Sequence, residues 1–203
     1  MIYIIHILIS ILSIFSCKYI TSYCKVEKSK INIIIISNLI TGLIILNLGI
    51  SFYSYILIII SYALLIISII DLICFEIPFK LNLIVLISSI IISFYDYSNI
   101  LTHILGSVST GGFFLLLYLI TKGEGLGFGD VKLMFFAGLG LGFEKAIVAF
   151  IISFVAGAIL HPVFMFFLKK GNKFAFGPYM SLGIITAYIF ADEIISLYLS
   201  LFI

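Results

Sequence analysis

The stretch YSYILIIISYALLIISIIDLIC, residues 53–74, carries one charged side chain, Asp71, about one helical turn before its end. A helix of about 20 apolar residues spans the roughly 30 Å hydrocarbon core of a bilayer. The whole chain has the same character, since 64% of its 203 residues are hydrophobic and 10% are charged, with a mean hydropathy of +1.37. A soluble domain carries about a quarter charged residues, so the sequence predicts an integral membrane protein.

Similar apolar runs recur along the chain, separated by clusters of lysine, glycine, proline or acidic residues. They predict an all-α, polytopic membrane helix bundle of about eight transmembrane helices, forming a single membrane domain over residues 1–203. The first helix lacks the basic start and cleavage site of a secretory signal, so it is expected to be retained. The sixth, at about 13 residues, is too short to cross the bilayer unaided. The predicted helices lie near residues 1–17, 31–48, 53–74, 81–95, 99–121, 131–143, 146–168 and 179–201.

The lysines predict how the bundle is oriented. If the amino terminus is outside, ten of the eleven lysines fall in cytoplasmic segments or at their boundary, and only Lys145 falls outside, as the positive-inside rule expects. The lysine-rich segment CKYITSYCKVEKSK, residues 17–30, is then expected to contact anionic membrane lipid. Because no basic stripe is interleaved with aromatic residues, nucleic acid is excluded as a partner.

Two aspartates at predicted helix ends are the candidates for chemistry. Asp71 closes an apolar run, and Asp130 closes the glycine-rich stretch GEGLGFGD, residues 123–130. Inserting an ionisable group near the bilayer centre costs about 2.5 to 3.5 kcal/mol of free energy on insertion scales. Its presence there therefore needs a structural or functional explanation. For Asp71 alone, interfacial solvation or pairing with Lys80 or Lys132 is a sufficient reason. Both aspartates lie on the same predicted face, which favours a paired site.

Two neighbouring carboxylates have a chemically useful state, because both cannot easily ionise and one tends to hold a proton. One carboxylate then acts as general base on water while the other donates its proton to a scissile carbonyl. Gly127 and Gly129 permit unusual backbone angles and close approach of an extended substrate, although helix packing is an alternative reason for them. No cofactor or metal is expected, since His6, His103 and His161 share no motif.

The motifs resemble those of a known family. GEGLGFGDVKLM, residues 123–134, resembles the signature of type IV prepilin peptidases, which belong to the GxGD class of membrane aspartic proteases. DLICFEIPFKLNL, residues 71–83, is similar to their first-aspartate motif, and FGP follows at residues 176–178 in the family's order. The resemblance covers roughly residues 33–190, beginning at SNLITGLIILN, residues 37–47.

This resemblance implies that Asp71 and Asp130 are catalytic and that Gly127 and Gly129 form the catalytic turn. It implies an aspartic endopeptidase of the bacterial plasma (inner) membrane, with its active site on the cytoplasmic side. Its partners would be prepilin or pseudopilin-like precursors, whose short basic leader is removed after a glycine. Supporting or substrate-binding roles carry over to Glu76, Pro78, Glu124, Lys132, Gly177 and Pro178.

The sequence departs from the family in its first motif. The family's IPD tripeptide reads Ile77-Pro78-Phe79. Its acidic group is therefore absent here unless Glu76 takes over that position's work.

The second departure concerns the cysteines. Bifunctional members carry an amino-terminal insertion with two CxxC pairs, associated with zinc binding and with methylation of the new amino terminus from S-adenosylmethionine. Here Cys17 and Cys24 have no second pair, and structural zinc needs four ligands, so a peptidase without methyltransferase activity is predicted. Together with Cys74, these cysteines are expected to be free thiols in a reducing compartment.

Other classes of protein share single features with this chain. A proton- or cation-coupled transporter also uses paired membrane carboxylates, but the glycine-bracketed Asp130 beside an inner-face loop favours a peptidase. An inactive scaffold of a pilus or secretion assembly is a further alternative, against which the presence of both aspartates argues. Among related GxGD enzymes, such as preflagellin and signal-peptide peptidases, the IPF and FGP segments favour the prepilin group.

Overall fold

The computed structural model of the protein describes residues 19–20, 22–24, 30–168 and 175–201, and their side chains except at 30–35 and 163–168. Seven α-helices lie in these ranges and coincide closely with seven predicted spans. The predicted helix near residues 1–17 lies outside the described residues. The helices are α1 (Lys30–Leu48), α2 (Phe52–Cys74), α3 (Phe79–Tyr95), α4 (Ile100–Ile120), α5 (Phe128–Leu141), α6 (Phe143–Leu168) and α7 (Gly177–Ser200).

The prediction of an all-α membrane helix bundle is confirmed. Large apolar side chains cover the outside of the described part, as expected of a surface that faces lipid. Its interior is an apolar core in which serines, threonines and both candidate aspartates are also buried. Helix α5 has 14 residues, about 21 Å of helix, and is shorter than the bilayer core, as predicted. Within the described residues, the segments long and apolar enough to cross a membrane are Phe52–Cys74, Tyr97–Ile120, Phe143–Pro162 and Gly177–Ser200.

A tight turn between α2 and α3 determines where Asp71 lies. Helix α2 ends at Cys74, and the next residue, Phe75, has the left-handed conformation (φ 57°) and donates its N–H to the carbonyl of Asp71 at 2.9 Å. Pro78 then precedes the first residue of α3, a position where its missing N–H costs nothing. The aspartate is therefore held one turn from the point at which the chain reverses.

Glycines set the contact between α4 and α5. A Cβ on Gly106 would lie 2.6 Å from the carbonyl oxygen of Gly138, and a Cβ on Gly138 would lie 2.6 Å from that of Gly106. Only glycine permits backbones to approach this closely. Hydroxyl groups add bonds across the same region, from Ser107 to the Phe135 carbonyl and from Ser93 of α3 to the Leu139 carbonyl, both at 2.8 Å. Helix α5 is thus fixed against α3 and α4.

The prediction of free thiols is wrong for two of the three cysteines. Cys24 and Cys74 form a disulfide, with their Cα atoms 6.1 Å apart across 50 residues of sequence. The pairing arises because residues 22–24 lie against the end of α2, a tertiary contact that no spacing in the sequence indicates. Cys17 lies outside the described residues.

Candidate active site

Asp71 lies in the last turn of α2 and is buried. Its Oδ2 accepts a hydrogen bond from the backbone N–H of Gly177 at 2.8 Å. Gly177 is the first residue of α7, where backbone N–H groups have no partner inside the helix and favour an anion. A Cβ on Gly177 would lie 2.8 Å from Oδ2 of Asp71, so the approach requires glycine.

Asp130 lies in the first turn of α5 and is also buried. Its Oδ2 accepts the N–H of Gly127 at 3.1 Å, while its own N–H donates to the carbonyl of Gly127 at 3.1 Å. This reciprocal pair resembles half of a capping box and closes residues 127–130, the GFGD turn. Oδ1 of Asp130 is buried and has no hydrogen-bond partner among the described residues, so this oxygen is free to act on a bound molecule.

The two sequence motifs pack directly against each other. A Cβ on Gly129 would lie 3.0 Å from Cβ of Ile77, so the GFGD turn sits on the loop between α2 and α3. From α3, the side-chain amide of Asn82 donates to the Gly129 carbonyl at 3.2 Å. Glycine at 129 therefore serves close packing between the motifs.

Asp71 and Asp130 line one cavity of about 270 Å³. The two carboxyl groups come from different helices, and the rest of the lining comes from the loop after α2 and from the GFGD turn. Since one water occupies about 30 Å³ in the liquid, the cavity has room for water and a short piece of extended peptide. The other lining residues are Phe75, Glu76, Ile77, Gly127, Phe128 and Gly129.

Glu76 supplies an acidic group at the mouth of this cavity. Its side chain is exposed and accepts a hydrogen bond from the hydroxyl of Tyr23 at 3.2 Å. Tyr23 precedes the disulfide-bonded Cys24, so the amino-terminal segment approaches the site. Tyr23 could not be predicted from the sequence, because one tyrosine in a lysine-rich segment has no distinguishing pattern.

Lys132 lies beside the site and does not line the cavity. Its Nζ is 5.0 Å from the ring centroid of Phe79 and 4.8 Å from that of Phe128, distances that allow cation–π attraction. Phe79 is the last residue of the Ile77-Pro78-Phe79 tripeptide. An aromatic ring thus contacts the lysine there.

The remaining predicted positions have different surroundings. Pro78 is buried beneath the turn into α3, and Pro178 is the second residue of α7, next to Gly177. Glu124 is exposed in the loop before the GFGD turn and is not a cavity residue. Asn82 was missed, although a lone amide in an apolar helix, four residues after Pro78, is a readable signal of a buried polar contact.

These features define a class: polytopic helical membrane proteins in which two helices bring buried carboxyl groups into one cavity near an end of the bundle. Within that class, the chain belongs to the type IV leader peptidase family, whose profile matches residues 57–161. The matched region contains both aspartates and the loop and turn that pack between them.

Curated relatives carry the name prepilin leader peptidase/N-methyltransferase. The protein of Stutzerimonas stutzeri is 27% identical over 168 residues, which cover 79% of this chain and 58% of the relative. The proteins of Pseudomonas aeruginosa (31% over 98 residues, 47% of this chain and 34% of the relative) and Bacillus subtilis (33% over 100 residues, 48% and 40%) are also similar. The chain thus spans 58% or less of the length of these relatives. No solved structure matches it.

Proposed function

We propose that this protein is an intramembrane aspartic endopeptidase that removes the short basic leader from type IV prepilin or pseudopilin-like precursors. The observation that carries the proposal is the shared cavity of Asp71 and Asp130, in which each carboxylate accepts a backbone N–H. Membership of the leader peptidase family and the names of the relatives support the substrate class.

The chemistry follows from two carboxyl groups that share one proton. The ionised carboxylate takes a proton from water, whose oxygen attacks the scissile carbonyl carbon, while the protonated carboxyl donates to the carbonyl oxygen. The tetrahedral intermediate then collapses and the C–N bond breaks: the first group returns its proton to the leaving amine, and the second group takes a hydroxyl proton back as the new carboxyl terminus forms. In both aspartates a backbone N–H holds Oδ2. The second oxygen of Asp130 is thereby left for water or substrate.

Charges near the cavity suit a precursor with a basic leader. Glu76 lines the cavity and Glu124 is exposed in the loop before the GFGD turn, and acidic groups near a site attract a basic segment. Lys80 in the first turn of α3 and Lys122 in the loop after α4 are exposed at the same end as the aspartates, and the positive-inside rule assigns that end to the cytoplasm. We therefore propose cleavage at the cytoplasmic boundary of the bacterial inner membrane. Cleavage after a glycine is what the resemblance to prepilin peptidases implies.

We further propose that the chain does not methylate its product, although its relatives are named for both activities. Cys17 and Cys24 have no second cysteine pair in residues 17–30, and a structural zinc site needs four ligands. The absence of methylation can be tested by mass spectrometry of the mature product. The cells used should express this protein as their only leader peptidase. An unmodified amino terminus is expected, and a mass increase of one methyl group would refute the proposal.

The peptidase proposal is tested by co-expressing a prepilin-like precursor with wild type, Asp71→Asn or Asp130→Asn. Asparagine keeps the size of the side chain and removes the acid, so each variant should lose cleavage by about 10³- to 10⁴-fold or more. Asp192→Asn is the matched control, since Asp192 pairs with Lys145 away from the cavity, with its side chain 75% exposed. Membrane levels of all variants are compared on blots. Wild-type-like cleavage by either inserted active-site variant would refute a two-aspartate mechanism.

A further inference from the structure

The disulfide between Cys24 and Cys74 lies at the edge of the catalytic cavity. Cys74 is the last residue of α2, between Asp71 and Glu76 in the chain, and both of these residues line that cavity. Cys24 directly follows Tyr23, whose hydroxyl donates to Glu76 at 3.2 Å. The covalent bond and this hydrogen bond therefore join the same two short segments of the chain, one before α1 and one at the end of α2.

The end of the bundle at which this disulfide lies argues against a permanent structural bond. Lys80 and Lys122 are exposed at the same end, which the positive-inside rule assigns to the cytoplasm. Thiols are kept reduced in that compartment, and its disulfides are usually transient, catalytic or redox-sensing. Cys24 and Cys74 are both half-buried, so neither residue is sealed from solvent. The pair is therefore placed to alternate between a dithiol and a disulfide.

The disulfide strengthens the contact of Tyr23 with Glu76. That hydrogen bond is exposed and joins residues 53 positions apart, so forming it without a covalent link costs conformational entropy. The disulfide is next to Tyr23 and close to Glu76 in the chain, and it therefore brings the hydroxyl to the carboxylate at a high effective concentration. Partial burial and the Glu76 carboxylate raise the pKa of Tyr23, which keeps the hydroxyl protonated as a donor. Ile20 is buried in the core, so reduction should loosen residues 22–24 and leave the helices in place.

We propose that Cys24 and Cys74 are a redox-sensitive pair that controls how tightly the protein binds the basic leader of its precursor. In the dithiol form, the Glu76 carboxylate is open to a cation of the leader. In the disulfide form, Tyr23 is held on that carboxylate and the leader binds more weakly. The inference rests on the proposed function and deepens it, because it adds regulation of the same site by oxidants of one class, low-molecular-weight disulfides such as glutathione disulfide.

The oxidation balances as two thiol–disulfide exchanges. The thiolate of one cysteine attacks a sulfur of glutathione disulfide, whose S–S bond breaks and releases one glutathione thiolate. The thiolate of the second cysteine then attacks the protein sulfur of this mixed disulfide, which forms the bond between Cys24 and Cys74 and releases the second glutathione. The protein loses two electrons, the small disulfide gains them, and the two thiol protons pass through solvent to the released thiolates. Dithiothreitol reverses both steps.

The test measures KM and kcat of the purified full chain in detergent, after treatment with glutathione disulfide or with dithiothreitol. Two precursors share one junction and one apolar helix, and carry either a basic or a neutral leader. Cys24→Ser cannot form the bond, and Cys17→Ser is the matched control because it keeps both partners of the pair. Tyr23→Phe keeps the disulfide and removes the donor to Glu76. A thiol-reactive mass tag gives the number of free cysteines in each sample.

Oxidised wild type should have a KM for the basic-leader precursor about three- to fivefold higher than reduced wild type, the effect of weakening one exposed ion pair. Its kcat should change by less than about twofold, because the bonds that hold both aspartates are unaltered and a rise in KM alone marks lost binding. The neutral-leader precursor should show no such rise. Cys17→Ser should respond to oxidation as wild type does, whereas Cys24→Ser and Tyr23→Phe should keep the low KM in both treatments.

Several outcomes would overturn the inference. One is an equal KM for the basic-leader precursor in both treatments, when the mass tag shows that the disulfide has formed. Others are three free thiols after oxidation, a KM that still rises in Cys24→Ser or Tyr23→Phe, and a rise of equal size for both precursors. Wild type that inserts but cleaves neither precursor in either treatment would instead refute the proposed function, so the two failures are distinguishable.

Discussion

Gly177→Ala should lower the activity of this protein and leave its fold intact. The added methyl would lie 2.8 Å from Oδ2 of Asp71 and 3.1 Å from both its Cβ and Cγ. The carboxylate must therefore rotate away or α7 must withdraw. Either movement lengthens the 2.8 Å hydrogen bond from the Gly177 N–H.

The expected fall in kcat can be estimated from the free energy of that hydrogen bond. A hydrogen bond to a charged group is worth about 1.5 to 3 kcal/mol, and each 1.36 kcal/mol is about a factor of ten in rate. We expect kcat to fall by about 10- to 150-fold. The fold should survive, because alanine suits the first turn of a helix and the crowded atoms belong largely to one side chain.

The assay is kcat per folded molecule on a purified precursor in detergent, with the folded fraction measured by gel filtration and Tm by thermal unfolding. Gly112→Ala in α4 is the matched control, since a Cβ there meets no atom within 4 Å. It should gain about 0.5 to 1 kcal/mol of stability and keep wild-type kcat. Gly177→Ala should also shift the pH profile of kcat, because an N–H donor helps to set the titration of the carboxylate, whereas the control should not. Cleavage by Gly177→Ala within twofold of wild type, with an unchanged profile, would refute the assigned role of Asp71.

Three further changes test other contacts. Gly138→Ala should destabilise the bundle by about 1 to 3 kcal/mol, because the added Cβ would lie 2.6 Å from the Gly106 carbonyl oxygen. The loss is measured as a fall in Tm, and an unchanged Tm would contradict the close contact between α4 and α5. Asn82→Leu removes the amide that donates to the GFGD turn and should cost about 1 to 3 kcal/mol of stability and lower kcat, so wild-type values of both would show that this bond is dispensable. Without reductant, denatured protein should bind a thiol-reactive mass tag only at the third cysteine, and Cys24→Ser should free Cys74 for labelling; three tags on unreduced wild type would show that the pair is reduced.

The sequence predicts the helices well because a bilayer imposes a length on each apolar run and because lysine, glycine and proline mark the ends. Helix α5 is the clearest case, since its shortness follows from the distance between the GFGD turn and Gly142. The pairing of Asp71 with Asp130 is predicted from their positions on the same face of the membrane and from the resemblance of their motifs to the family. Periodicity alone does not place either residue in a cavity.

Contacts between distant segments account for what the sequence does not predict. The donor to Asp71 is a backbone N–H 106 residues away, and in the sequence it shows only as a glycine before a proline. The disulfide of Cys24 and Cys74 and the contact of Tyr23 with Glu76 depend on an amino-terminal segment that lies against α2. Neither hydrophobic spacing nor composition carries information about such contacts.

The hydrogen bonds between helices connect each carboxylate to a different group of helices, called a unit here. Asp130 belongs to a unit of α3, α4 and α5, joined by the glycine contact and by bonds to the Phe135 and Leu139 carbonyls. Asp71 belongs to a unit of α2 and α7, joined at Gly177 and again where the Ser181 hydroxyl donates to the Leu64 carbonyl at 3.1 Å. Each carboxylate is therefore positioned by its own set of bonds, so the position of Asp71 depends on contacts different from those that position Asp130.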